Sequence, residues 1–89
     1  MRKHGRVDNN QVEIVQALRD AGATVLSMAS LGNGAPDIAV GLFGHTYFLE
    51  IKGRNGKLTP DEIAWHAQWR GHVRMVRSVD EALAAIGAI

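Results

Sequence analysis

The sequence of 89 residues contains no cysteine, and aromatic residues make up only 6% of it. The absence of cysteine excludes a disulfide framework, a thiolate zinc site and a cysteine nucleophile. No apolar run approaches the roughly 20 residues of a membrane span, and no apolar segment typical of a signal peptide follows the basic N-terminus. We therefore expect a cytoplasmic protein that does not contact a membrane. Neither positive nor negative residues dominate the sequence. The net charge is +1, which neither supports nor excludes a nucleic-acid partner.

The residues that are present give an ordinary globular composition, with 46% hydrophobic and 21% charged side chains. A chain this short buries only about 60–65% of the surface that it exposes when unfolded, which is enough for one modest core. We therefore predict a single domain over residues 1–89. Its first eight residues carry the cations Arg2, Lys3 and Arg6, and they form either a basic arm that follows a DNA backbone or a disordered tail.

Hydrophobic periodicity and chain breakers divide the sequence into seven elements. The predicted elements are a helix at 9–21, strands at 24–30, 37–42 and 46–52, a helix at 59–70, a strand at 73–76 and a helix at 78–86. The short connection at 43–45 is typical of a hairpin, so the second and third strands should pair antiparallel. A strand meander followed by a helical crossover predicts an α/β fold with a mixed sheet flanked by helices.

The two later helices begin at recognisable capping motifs. Thr59 is placed to cap the first of them, Pro60 occupies its first position, and Glu62 completes a capping box. Ser78 and Glu81 have the same spacing at the start of the last helix, which predicts a second capping box.

The third strand carries the side chains best suited to chemistry. Because side chains alternate between faces along a strand, Phe48, Glu50 and Lys52 share one face. Asp37 opens the neighbouring strand, and hairpin pairing can bring it near Glu50. Two carboxylates can hold Mg²⁺, and a lysine beside them can orient water or balance negative charge in phosphodiester hydrolysis. The alternative is a plain cross-strand ion pair, worth roughly 0–1 kcal/mol if exposed.

These residues belong to a longer pattern that resembles a known family. In chain order the pattern is Gly34-Ala35-Pro36-Asp37, Glu50-Ile51-Lys52, Leu58-Thr59-Pro60-Asp61-Glu62 and Trp65-His66. Its order and spacing resemble the virus-type replication-repair nuclease (VRR-NUC) domain of the PD-(D/E)xK nuclease superfamily, and the likeness covers nearly the whole chain. The restriction-endonuclease-like fold of that family has the same order of helices and strands.

The resemblance implies an endodeoxyribonuclease that depends on Mg²⁺ or Mn²⁺. It assigns Asp37, Glu50 and the backbone carbonyl of Ile51 as metal ligands, and Lys52 as the catalytic lysine. Stand-alone phage and bacterial members of the family act as homodimers on branched DNA, including four-way (Holliday) junctions. We therefore expect branched DNA as the partner, a homodimer, and a place in the cytoplasm of a bacterial or phage-infected cell.

Related junction-cleaving nucleases also direct a glutamate of the first helix at the metal. Counting back from Gly22, which ends the helix, puts Gln11 at that place, and Glu13 lies two residues further on. A helical wheel puts Gln11 on the face of Val15 and Leu18, whereas Glu13 lies roughly opposite. We therefore favour Gln11 as a water-orienting group, against the alternative of a plain polar residue in the first turn, and expect Glu13 on the solvated face.

Several other polar residues are candidates for DNA contact. Arg54 and Lys57 lie in the basic loop after the third strand and could position a DNA backbone, or could simply be solvated. Asn33 lies between two glycines, which permit close approach to a ligand but also merely make a turn. Lys3 and Arg6 of the N-terminal arm complete the set.

Two apolar surfaces are candidates for a subunit interface. Trp65 and Trp69 are four residues apart on one helix face, a spacing more typical of a core or interface than of base stacking. The last helix, with Leu83 and Ile86, is the second candidate. Two other functions stay open: a non-catalytic DNA-binding or assembly module, favoured by the missing acid at Gln11, and a nuclease for linear or nicked DNA.

Overall fold

Seven elements follow one another in the computed structural model, which describes residues 9–89. They are α1 (Asn9–Asp20), β1 (Thr24–Ser27), β2 (Ile38–Leu42), β3 (His45–Ile51), α2 (Pro60–Gln68), β4 (His72–Val76) and α3 (Val79–Ala85). The predicted order of helices and strands is confirmed. Among the described residues, no helix has the length and apolar character that crossing a membrane requires.

The four strands form one sheet in the order β1-β2-β3-β4. β2 pairs antiparallel with both β1 and β3, whereas β3 and β4 are parallel and are joined by the crossover that contains α2. The hairpin between β2 and β3 turns at Phe43 and Gly44, whose φ angles of 52° and 82° are the positive values that a tight two-residue turn needs. The predicted mixed sheet and its antiparallel hairpin are confirmed.

One face of the sheet is buried by α1 and α3. The buried apolar side chains are Ile14 and Leu18 of α1, Ala82 of α3, Ile86 at the C-cap of α3, Ala23 after α1, and Ile38, Val40, Leu42, Leu49, Ile51 and Val76 of the strands. Leu83 packs against this cluster as well. The last helix was a candidate subunit interface, but its apolar residues Leu83 and Ile86 serve the core of the chain itself.

The opposite face of the sheet is partly covered by the aromatic rings of Trp65 in α2 and of Trp69 at its C-cap. Phe48 alternates with the buried Leu49 and therefore points to this second face. Its ring centroid lies 5.9 Å from that of Trp65 and 4.8 Å from that of Trp69, and the two indoles stack on each other at 4.9 Å. Trp69 nevertheless stays 41% exposed, so α2 covers this face only in part.

Two elements, β1 and α2, end at least two residues earlier than predicted, for local reasons. β1 ends at Ser27 rather than at residue 30. Just beyond this end, the N–H of Met28 still donates to the carbonyl of Asp37 at 2.8 Å. The next residue on the partner strand is Pro36, which has no N–H to continue the ladder. α2 ends at Gln68 because Trp69 adopts an extended conformation as the C-cap.

The capping box predicted at Thr59 is confirmed: its hydroxyl accepts from the N–H of Glu62, and the carboxylate of Glu62 accepts from the N–H of Thr59. The second box is only half formed. Ser78 accepts from the N–H of Glu81 at 3.1 Å, but Glu81 Oε1 accepts from the N–H of Arg77 at 2.6 Å and not from that of Ser78. The prediction of a second reciprocal box is therefore wrong.

Gly34 lies in the loop before β2, where it packs closely against the start of α2. Its φ is +85°, and a Cβ built there would collide with the backbone carbonyl of Asp61. Two physical requirements thus demand glycine: the left-handed conformation and the close approach of two backbones. The approach is to α2 rather than to a ligand, which gives this glycine of the Gly-Ala-Pro-Asp segment a packing role.

Gly34→Ala is expected to lower the free energy of unfolding clearly more than Gly32→Ala in the same loop. Both glycines have positive φ, which costs an alanine about 1–2 kcal/mol, but a Cβ on Gly32 meets no atom within 4 Å. The difference between the variants in urea denaturation therefore measures the contact with Asp61. Equal losses would contradict a packing role for Gly34.

Candidate active site

The hairpin of β2 and β3 brings two carboxylates to one end of the sheet. Ile38 is paired with Leu49, so Asp37 and Glu50 lie opposite each other one step further along, on the face of Phe48. Asp37 is held there by its Oδ2, which accepts from the N–H of Ile51 at 2.7 Å. This bond fixes the carboxylate beside the end of β3 and uses Oδ2 rather than Oδ1.

Glu50 is a buried carboxylic acid with an incomplete set of partners. The residue is 3% exposed, and its Oε1 is buried without a hydrogen-bond partner in the structure of residues 9–89. Burial raises the pKa of Glu50 to about 8, the charges of Asp37 and Glu62 add to the rise, and Lys52 opposes it. A buried carboxylate with an unsatisfied oxygen is costly unless a cation or a proton compensates it.

Lys52 lies between two carboxylates. Its Nζ is 3.4 Å from Glu50 Oε2 and 2.9 Å from Glu62 Oε1. Burial lowers the pKa of Lys52, but the hydrogen bond and charge of Glu62, together with Glu50, outweigh burial and raise the pKa above its usual value. The side chain is therefore a fixed cation at this site rather than a proton acceptor.

Glu62 is a residue of this cluster that the sequence reasoning assigned only to capping. Its Oε1 accepts from the N–H of Thr59 at 2.9 Å and is also the atom that contacts Lys52. Burial raises the pKa of Glu62, but the hydrogen bonds from Lys52 and from the backbone of Thr59 outweigh burial and lower it. The capping box was the available signal, because it sets a carboxylate in the first turn of the helix that follows the basic loop.

Helix α1 meets the site through Asn10. Its Nδ2 donates to the backbone carbonyl of Lys52 at 3.0 Å. Gln11 lines a shallow surface groove that runs along α1, and Glu13 is exposed, as expected. The signal for Asn10 was the buried residue Ile14, one helical turn further along. The assignment of Gln11 as a water-orienting group stays a prediction.

Arg77 anchors the basic loop that follows β3, a role that the sequence reasoning did not assign. Its Nη1 donates to the carbonyl of Gly53 at 2.6 Å and to that of Arg54 at 3.3 Å. The parallel pairing of β3 and β4 sets Arg77 beside the end of β3. Arg54 and Lys57 are exposed on this loop.

The remaining candidates lie at the edges of the site or outside the described structure. Asn33 is exposed in the loop before Asp37 and adopts a left-handed φ of 56°. Lys3 and Arg6 lie outside the described residues. DNA contact by Asn33, Arg54, Lys57, Lys3 and Arg6 stays a prediction.

His66 of α2 is a further buried polar residue. Burial lowers the pKa of His66, and its Nε2 is buried with no hydrogen-bond partner among the residues described.

Comparison with solved structures finds a chain of similar fold over almost the entire length. A VRR_NUC domain superposes with a TM-score of 0.70 and 29% sequence identity, covering 97% of this chain and 96% of that one. The resemblance found from the sequence motifs is therefore confirmed by the fold. No family model and no curated protein matches the sequence.

Proposed function

We propose that this chain, which is similar to a VRR_NUC domain over almost its entire length, is a metal-dependent endodeoxyribonuclease acting on branched DNA such as four-way junctions. The observation that carries the proposal is the cluster of Asp37, Glu50 and Lys52 at one end of β3. Carboxylates that can hold a divalent cation, next to a fixed ammonium, suit the charge that develops in phosphodiester hydrolysis.

The residues present fit Mg²⁺ or Mn²⁺. Glu50 Oε1 is buried without a partner among residues 9–89, and Oδ1 of Asp37 is not used in the bond to Ile51. No group of three histidine, cysteine or acidic side chains in the described part of the chain forms a ready metal cage. Two carboxylates are nevertheless within the number that Mg²⁺ usually takes, because this ion keeps several waters.

Asp37 and Glu50 would hold the ion, with the backbone carbonyl of Ile51 as a third oxygen. When bound, the ion supplies Lewis acidity and a water of lowered pKa. Lys52 is positioned to balance the negative charge that develops on the phosphate, and its ammonium stays protonated because two carboxylates surround it. Gln11 is proposed to orient water from the side of α1.

DNA would be positioned by the cations of the loop after β3. Arg54 and Lys57 are exposed there, and the bonds from Arg77 to the backbone give the loop a defined shape. Asn33 and the N-terminal Lys3 and Arg6 would extend the contact along the backbone. Such contacts give affinity without reading sequence, which suits a nuclease that recognises the shape of branched DNA. The protein would then act in the cytoplasm of a bacterial or phage-infected cell.

The test is cleavage of a labelled four-way junction with Mg²⁺ or Mn²⁺, compared with linear and nicked duplexes of the same sequence. Preferred cleavage of the junction supports the proposal. Preferred cleavage of the linear or nicked DNA would reassign the substrate. Binding to DNA without cleavage under any of these conditions would favour a non-catalytic DNA-binding or assembly module that keeps the fold.

The proposal includes a homodimer, because cleavage of both strands of a branched substrate needs two centres and one chain of this size has one. The second face of the sheet is the proposed interface. Leu26 pairs through Ala39 with Phe48 on this face, and Leu26 and Trp69 are 66% and 41% exposed. Two-fold pairing would bury these apolar side chains against their own copies.

Trp69→Glu is expected to convert a dimer into a monomer, because it sets a charge in the centre of the proposed apolar interface. Phe43→Asp is the matched control: it removes an 87% exposed aromatic at the hairpin tip, away from this face, and should leave the dimer intact. Sedimentation over a range of concentrations measures both. A monomeric wild type, or dissociation by both substitutions, would contradict this interface.

A further inference from the structure

Lys52 has two carboxylate partners, and they are not equivalent. Glu50 is the more distant of the two, at 3.4 Å against 2.9 Å for Glu62, and it is proposed to serve a metal as well. Glu62 belongs to α2 and is not one of the residues that the VRR-NUC resemblance assigns to the site. Its contact with the lysine therefore needs an explanation of its own.

Glu62 is itself held in place from two sides. Its backbone N–H donates to Thr59 Oγ1 at 3.2 Å, while its Oε1 accepts from the N–H of Thr59 at 2.9 Å. The same Oε1 then receives the ammonium of Lys52. Formation of the first turn of α2 thus sets the carboxylate where the lysine meets it, and the lysine gains a fixed partner on a rigid element.

A lysine has a long flexible side chain, and the ordering of such a chain costs entropy unless contacts hold it. Asn10 binds the backbone carbonyl of Lys52, which fixes the strand but not the ammonium. Glu50 and Glu62 are the ion-pair partners that the described residues give to Nζ. The direction of the ammonium therefore depends on Glu62 whenever Glu50 is engaged elsewhere.

We propose that Glu62 is a positioning residue that holds the Lys52 ammonium beside Glu50, in addition to capping α2. The inference rests on the nuclease function proposed above, in which Lys52 assists hydrolysis. It assigns a functional role to a residue that otherwise has only a structural one, and it links the start of α2 to the reacting centre.

The contribution of Glu62 to the helix cap can be distinguished from its contribution to the ion pair with Lys52 by substitutions at the two ends of the same capping box. Glu62→Ala removes the lysine contact and half of the box, whereas Thr59→Ala removes the other half and leaves the carboxylate next to Lys52. Both should lower the midpoint of thermal unfolding. Only Glu62→Ala should lower kcat for junction cleavage, by about 10- to 100-fold with little change in KM, as expected for a displaced catalytic group.

Glu62→Gln should recover part of this loss, because an amide oxygen still accepts from both Thr59 and Lys52 but carries no charge. A second readout does not depend on cleavage. Lys52 is one of three lysines in the chain, so its ammonium signal in an NMR spectrum of the side-chain nitrogens can be assigned by substitution. Held in ion pairs, that ammonium should exchange slowly with water and give a signal in wild type and Thr59→Ala but not in Glu62→Ala.

Equal loss of kcat in Glu62→Ala and Thr59→Ala would overturn the inference, since Glu62 would then act only through the cap. Retention of the Lys52 ammonium signal in Glu62→Ala would overturn it as well. If the wild type cleaves no DNA, the proposed function fails, and the ammonium signal alone then decides whether Glu62 positions Lys52. The two failures are thereby distinguishable.

Discussion

Lys52→Met is expected to lower kcat for junction cleavage about 100- to 1,000-fold, the loss typical of removing one group that stabilises charge in the transition state. Methionine keeps most of the aliphatic length of the lysine, so the variant should stay folded. KM should change little, because the ammonium lies among carboxylates rather than on the exposed loop. Single-turnover cleavage at saturating enzyme measures the effect.

Lys57→Met is the matched comparison, because the same substitution removes an exposed cation from the neighbouring loop. It should raise KM, lower the slope of log K against log salt by about one, and leave the rate at saturation near that of the wild type. Asp37→Asn should abolish cleavage together with binding of Mn²⁺, whereas Lys52→Met should keep Mn²⁺ binding. Cleavage by Lys52→Met at the wild-type rate would reduce Lys52 to an ion-pair partner.

Much of the fold could be predicted because its signals are local. The hairpin was predicted from a short connection between two apolar runs, and the structure closes it with Phe43 and Gly44. The start of α2 followed from Thr59, Pro60 and Glu62, whose contacts are separated by three residues or fewer. The end of β1 depends on its pairing partner, where Pro36 stops the ladder of hydrogen bonds. The sequence of β1 itself contains no signal for that end.

The candidate site likewise contains residues that the sequence could predict and residues that it could not. The approach of Asp37 to Glu50 follows from period two along β3 and one hairpin, so the sequence was sufficient to predict it. Asn10 and Arg77 reach the backbone of the residues after β3 across 42 and 24 positions of sequence. Their positions depend on how α1 packs on the sheet and on the parallel pairing of β4, neither of which a local pattern reports.

Glu50 is expected to destabilise the metal-free protein at alkaline pH, because its carboxyl is buried and its pKa is raised to about 8. In the unfolded chain the pKa of Glu50 lies near its usual value of 4.5, so between these two values the folded state binds more protons than the unfolded state. Its contribution is therefore present below pH 4.5 and is lost as the pH rises through 8. In EDTA, the wild type should lose about 2–5 kcal/mol of unfolding free energy over this range.

Glu50→Gln removes the titrating charge and should lack this loss, so the variant should be more stable than the wild type above pH 8 in EDTA and similar to it near pH 5. Mg²⁺ should shrink this difference by about 2.7 kcal/mol, because ligand at 100 times Kd stabilises only the protein that binds it. Urea denaturation at both pH values, with and without Mg²⁺, measures all four combinations. The same substitution at the exposed Glu13 should stay within about 0.5 kcal/mol of the wild type. If Glu50→Gln and the wild type are equally stable at pH 8 and Mg²⁺ changes neither, the ion does not bind at the unsatisfied oxygen of Glu50. The metal ligands would then have to be assigned to other residues.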